Sequence, residues 1–285
     1  MKKLSLILAS LAVIFAMTSC DKLKEPYVVE PPVIITDTVY VELAASDTLN
    51  FDGKIVVLLE DYTGVRCVNC PAAAVIANQL QEENEGHLVV LGVHPKGALQ
   101  FPYDSITDFR TEEGNEWKNH FNIGSYPNGT VNRKEVIGEA NWATAVNEVI
   151  GADAPARLII KTDYNESNRE LKLSVYAKFL TTVESNDVRL TLCMMEDSIV
   201  GKQQTTTGIN PDYVHRHVFR GTVDGFTWGR PLDADVETIE AGRNFITNMK
   251  FNVDEKYNAE QFYIVAFISD NNTKQVLMAT EAKIK

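Results

Sequence analysis

The sequence predicts two folds in one chain, an α/β domain in the first half and an all-β, sandwich-like domain in the second. Three observations carry this. Residues 55–59 and 87–94 are almost continuously apolar, the mark of strands buried on both faces. Stretches of helical period follow them, one rich in alanine and two carrying tryptophan. From Ala156 onward the pattern changes to apolar–polar alternation broken by polar turns. The length of 285 residues, at roughly 150 per domain, also suggests two domains.

Hydrophobic residues make up 45 % and charged residues 23 %, enough apolar material for two cores. The formal net charge of -12 argues against nucleic acid as a partner, because phosphate binding needs a basic face. It selects no substrate.

Residues 1–19 lie outside the fold. Lys2 and Lys3 precede an apolar stretch, residues 4–16, that is too short to span a bilayer. It ends in Thr18-Ser19-Cys20, which resembles the lipobox of bacterial lipoproteins. That resemblance implies cleavage before Cys20 and a lipid on its thiol; the alternative is a plain secretory signal. The body is then anchored to a membrane and sits in an oxidising compartment. Residues 20–35 carry Pro26, Pro31 and Pro32 and are predicted to be a tether. Residues 36–43 alternate and are a strand candidate.

The α/β domain is placed at residues 36–153. Its central strand, residues 55–59, runs into Thr63-Gly64-Val65-Arg66-Cys67-Val68-Asn69-Cys70-Pro71. A helix follows from Cys67 or Val68 to about Glu83, with Ala73, Ile76, Ala77 and Leu80 on one stripe. Pro71 fits its first turn, where an N–H has no partner to lose. After the strand at 87–94, residues 95–112 read as an insertion with a short helix of its own. Helices are predicted at 113–121, with Trp117 and Phe121 at i and i+4, and at 139–150. The second domain, 154–285, is predicted to hold strands at 157–162, 170–180, 188–195, 213–223, 243–253, 261–269 and 275–284.

A strand, a short turn and a helix opening on Cys-x-x-Cys is a layout for thiol–disulfide chemistry. Unpaired N–H groups at the helix start would stabilise a Cys67 thiolate, and Arg66 would add a positive charge beside it. Cys70, one turn on and more interior, would resolve the mixed disulfide. Redox exchange, a disulfide that only pins the turn, and metal binding with His94 as a further copper ligand are all open to the pair. Tyr213 to Val223 as one strand would put His215 and His217 on one face. Cys193, among Leu192, Met194 and Met195, reads as a buried small hydrophobe.

Residues 36–152 resemble the thioredoxin superfamily, on Cys67-Val68-Asn69-Cys70, on Asp61 six residues before it, and on Ile123-Gly124-Ser125-Tyr126-Pro127. The resemblance implies that Asp61 is a buried proton acceptor for Cys70. It also implies that Pro127 follows a cis peptide bond beside the nucleophile, and that Tyr126 offers backbone to a substrate polypeptide. Glu60 is the alternative inward acid if the strand register differs by one. Arg66, Val68 and Asn69 depart from that family's usual Trp and Gly-Pro.

Taken whole, the chain resembles the Omp28-related family of bacterial outer-membrane lipoproteins. Thr18-Ser19-Cys20, Glu60-Asp61-Tyr62-Thr63-Gly64 and His215-Arg216-His217-Val218-Phe219-Arg220-Gly221 carry this. It implies outer-membrane anchoring through lipid and adhesin- or receptor-like roles. Two functions follow: thiol–disulfide exchange with protein partners, or non-catalytic binding of a surface ligand with Cys67–Cys70 as a structural bridge. Neither calls for a cofactor or a resident metal.

Overall fold

The computed structural model describes residues 51–285 and the short strand at 33–34. The signal segment, Cys20 and the strand predicted at 36–43 lie outside the described residues. Strand β1 (Val33–Ile34) falls within the expected tether and instead pairs with residues 249–250.

The first half supplies β2 (Val57–Tyr62), α1 (Cys70–Glu83), β3 (Leu88–Val93), α2 (Glu112–His120), β4 (Asn128–Val131), β5 (Val136–Ile137) and α3 (Trp142–Asn147). β2 and β3 are buried at every position, as their unbroken apolar runs require. They run parallel, and β4 lies antiparallel on the other side of β2, with β5 beyond it. Helix α1 starts at Cys70, three residues later than the earliest predicted start, with Pro71 in its first turn. Thr111 caps α2 by accepting the N–H of Gly114. The helix predicted inside 95–112 does not form: residues 95–111 are turns, bends and irregular loop, with Arg110 in an isolated bridge to His94. Pro95 and Pro102 cannot donate to a helical ladder.

The second half supplies β6 (Ala156–Asn165), β7 (Glu170–Phe179), β8 (Val188–Glu196), β9 (Ile199–Thr205), β10 (Gly208–His215), β11 (Val218–Thr222), β12 (Arg230–Pro231), β13 (Asn244–Asn252), β14 (Phe262–Asp270) and β15 (Val276–Lys283). The strand predicted over 213–223 is two strands. His217 has φ 53°, a left-handed conformation that breaks the extended run and sends β10 and β11 into different sheets.

The division expected near residue 153 does not divide the sheet. The order β15-β14-β8-β11-β3-β2-β4-β5 joins both halves, through β11 lying parallel to β3. A second sheet, β1-β13-β7-β6, packs over one face of its all-β end. The two enclose a sandwich-like core that includes Leu158, Leu173, Val175, Leu192, Ile264 and Ile268. The same apolar layer continues under α1 through Ala73, Ala77 and Leu80. The opposite face of the long sheet buries Trp117, Phe219 and Phe267. Hairpin β9–β10 stands apart as its own two-stranded sheet.

Candidate functional site

Side chains on β2 alternate between the two faces of the sheet. Asp61 therefore faces the α1 side and Glu60 the α2 side, and both are buried, at 4 % and 0 % exposure. The register ambiguity resolves into two acids with different fates. Glu60 accepts from Arg133 at 2.6 and 3.0 Å and from Thr130 Oγ1 at 2.8 Å. Arg133 in turn lies 4.3 Å from the Trp117 ring and 4.7 Å from that of Phe267. Asp61 has no such partner. Its Oδ1 is buried without a hydrogen bond. Burial first, and the charge of Glu139 second, push its carboxyl up to about 8.

Cys67 and Cys70 form a disulfide, with Cα atoms 5.4 Å apart. Cys70 opens α1, whereas Cys67 lies one turn earlier in the loop, its N–H bonded to Gly64 O at 3.0 Å. The helix start therefore lies at Cys70, not at the residue expected to be the nucleophile. Both cysteines are closed off from solvent, at 3 % and 2 % exposure.

The cover comes from the second half of the chain. Gln203, on β9, donates through Nε2 to Gly64 O at 3.2 Å and Cys67 O at 3.1 Å. The N–H of Gln204 donates to Val65 O at 2.8 Å. Val65 packs with Phe109, Val218, Tyr103 and Ile199. On its other side the 99–100 segment approaches closely, which Gly64 permits, because a Cβ there would stand 2.6 Å from Leu99 O.

Behind Cys70 is a cavity of about 30 Å³, room for one or two waters. Asp61, Cys70, His94, Gln203, Tyr213 and His215 are among its walls. His94 Nδ1 and His215 Nε2 are buried there without partners. Burial lowers the two imidazoles to about 3 and about 4, so both are neutral at pH 7. Phe109 touches both rings edge-on, at 5.0 and 4.8 Å. Among the described residues no three His, Cys, Asp or Glu side chains converge closely enough to hold a metal ion.

The remaining predicted residues lie elsewhere. Arg66 turns to the 101–103 segment, donating to Phe101 O at 2.7 Å and Pro102 O at 3.1 Å and stacking 4.0 Å over Tyr103. Its charge is committed there. The Tyr126–Pro127 bond is cis, and neither residue is among the walls of the cavity. Tyr126 packs at the margin of the Trp117 cluster. His217 faces away from His215, beyond the strand break. Cys193 is fully buried, and burial raises its thiol well above the ordinary range. Gln203, Tyr213 and His215 enter the site through hairpin β9–β10, which no local signal ties to the cysteines 136 residues earlier.

A family model described as outer membrane protein Omp28 matches residues 114–285, a span that begins after the cysteine pair. No curated protein matches the chain. Among solved structures, HBP35 of Porphyromonas gingivalis is similar at 17 % identity and a TM-score of 0.61, over 81 % of this chain and 76 % of that one. A domain of the outer membrane lipoprotein Omp28 from Porphyromonas gingivalis aligns at 21 % identity over 46 % of this chain and 89 % of that one, with a TM-score of 0.32. No helix among the described residues is long and apolar enough to cross a membrane.

Proposed function

Because the chain belongs to the outer membrane protein Omp28 family, we propose that it is held at the cell envelope by a lipid on Cys20 and exchanges disulfides with protein partners through Cys67 and Cys70. The reading includes a thioredoxin-like frame for the first half. It rests above all on Asp61: an unpaired, buried carboxyl in one cavity with Cys70. Such a group costs stability and is poised for proton transfer near neutral pH.

The chemistry balances as follows. A partner thiolate attacks Cys67 Sγ; the Cys67–Cys70 bond breaks and its electron pair leaves on Cys70 Sγ. Asp61, mostly protonated at pH 7, gives that thiolate its proton. A second partner thiolate then attacks the partner sulfur of the mixed disulfide and releases Cys67 as a thiolate. The partner dithiol is oxidised by two electrons and the pair reduced. In the reverse direction the Asp61 carboxylate takes the proton from Cys70 as Cys70 attacks Cys67 Sγ. Hairpin β9–β10 has to lift from Gly64 and Cys67 for a polypeptide to reach the sulfurs. Pro127 and Tyr126 serve as the backbone rim on which that polypeptide is aligned.

The test is the reduction potential of the pair, with the rate of Cys67 alkylation at neutral pH in the reduced protein. A potential above about −300 mV with a fast thiol supports exchange; one far below it with an inert thiol overturns it. The second reading is a surface-binding lipoprotein whose disulfide only pins the turn and whose ligand meets the β-rich half or residues 95–112. The burial of both sulfurs favours it.

A further inference from the structure

Away from the cysteines, the end of α1, the start of β3, the end of β8 and strands β14 and β15 wall a cleft of about 620 Å³. This is the size of a small-ligand site. Leu88, Val89 and Met195 give it apolar walls, and Glu82, Glu85, Asp197 and Glu281 bring four carboxyl groups to it. Several acids elsewhere are ion-paired, as in Asp153 with Lys54, Asp187 with Arg189 and Asp224 with Arg230. These four have no ion pair with any described residue. The last turn of α1 also lacks a basic residue, so Glu82 sits at the negative end of the helix dipole.

Two further observations point to a ligand. Glu281 accepts from Gln81 through Oε1 at 3.2 Å, but its Oε2 is buried with no partner. His217, at 6 % exposure, lines the same cleft, and its ring makes no hydrogen bond to a described residue. Its left-handed backbone, φ 53°, is uncommon for a residue with a side chain and is what places it there. A neutral imidazole can accept a hydrogen bond from an N–H donor.

Among the described residues no three His, Cys, Asp or Glu side chains converge here as a bare metal ion would need. The site fits a cation with several N–H groups and an alkyl stem. We propose that this cleft binds an aliphatic ammonium or guanidinium cation, with Asp197 and Glu281 on the charge, His217 accepting an N–H, and Leu88 and Met195 against the stem. Polyamines and the Lys or Arg side chains of a polypeptide share this chemistry.

Burial, and then the charge of Asp197, hold Glu281 up to about 7. The other groups around it are Glu82, Glu85, His217, Tyr263 and Lys283, whose ammonium lies 6.0 Å from the Tyr263 ring. Cation binding therefore tightens from pH 6 to pH 8 as Glu281 ionises. The experiment is calorimetric titration with spermidine, with a Lys-Arg-rich pentapeptide and with magnesium chloride, at 0.15 M salt. The expected result is saturable one-to-one binding of spermidine or the peptide, about tenfold weaker in D197N and E281Q and unchanged in the exposed-acid control D235N. E281Q also abolishes the pH slope. Both variants remove an unpaired acid, and circular dichroism checks that they fold. Preference for spermidine assigns a free polyamine, and preference for the peptide assigns a protein side chain. No saturable binding, equal affinity in all three variants, or equal displacement by magnesium overturns the proposal.

Discussion

Glu60 and Asp61 are neighbours on one strand, equally hidden from water, and differ in nearly everything else. Glu60 looks toward α2 and meets a hydroxyl and a guanidinium that is itself packed against aromatic rings. Asp61 looks toward α1 and meets a cavity, a disulfide and two neutral imidazoles. A buried charge with a complete set of partners is a structural joint; a buried acid without one is a proton store. One residue of offset on a pleated strand separates the two roles.

The sharpest way to break the contrast is to remove the partner. R133M leaves Glu60 buried and unpaired, and is expected to cost about 3–5 kcal/mol in urea unfolding. R133M combined with E60Q should recover much of that, since no ionised group is then stranded.

D61N acts in the opposite sense on stability and hardest on chemistry. Exchange with a protein disulfide should slow by about 10²-fold, the usual value of a general acid–base. The folded carboxyl ionises near 8 and the ordinary value is 3.8, so the folded state holds a proton that the unfolded chain loses between. Stability therefore falls as pH rises from about 4 to 8, by about 1.4 kcal/mol per unit at most. Urea melts at pH 6.5 and 8 should show this decline in the wild type and a smaller one in D61N, the remainder coming from Glu281, which burial holds up to about 7.

The histidines set the other limb. His94, His215 and His217 are held at about 3, 4 and 4, below the ordinary 6.5. The unfolded chain binds their protons first, so stability is lost as pH falls from about 6.5 toward 4. H215Q should soften that acid limb and leave the alkaline one intact.

The smallest effect concerns access to the Asp61 side. Q203A deletes hydrogen bonds to Gly64 and Cys67, each worth about 1 kcal/mol. Reduction of the disulfide by dithiothreitol should be roughly tenfold faster, with the overall melt little changed. An unchanged rate would mean that the hairpin does not control entry.

How much of this was legible depends on distance along the chain. β2, β3, α1 and α2 were readable because an unbroken apolar run or a helical stripe is local. That Asp61 lies buried beside Cys70 was implied by the resemblance to the thioredoxin superfamily, not by any local pattern. The partner of Glu60 was not readable, because Arg133 arrives 73 residues later. Nor was the hairpin cover, whose Gln203 looks like any surface polar residue until its amide meets two carbonyls. The joint sheet was hidden for the same reason: β11 carries nothing that names β3 as its neighbour. His217 misled in another way. Its flanks, Val214 and Val218, suit a strand, and alternation cannot report one residue of opposite backbone hand.

The long sheet has a consequence in time. A chain made from its N terminus presents Cys67 and Cys70 well before β8, β9 and β11 exist. Until then the outer edge of β3 lacks its neighbour, and the Gln203 and Gln204 contacts over the cysteine turn do not exist. The closing of the bridge and the closing of its roof are thus separate events in the birth of the molecule. An oxidant meets the cysteines bare, and every later visitor meets them beneath a lid.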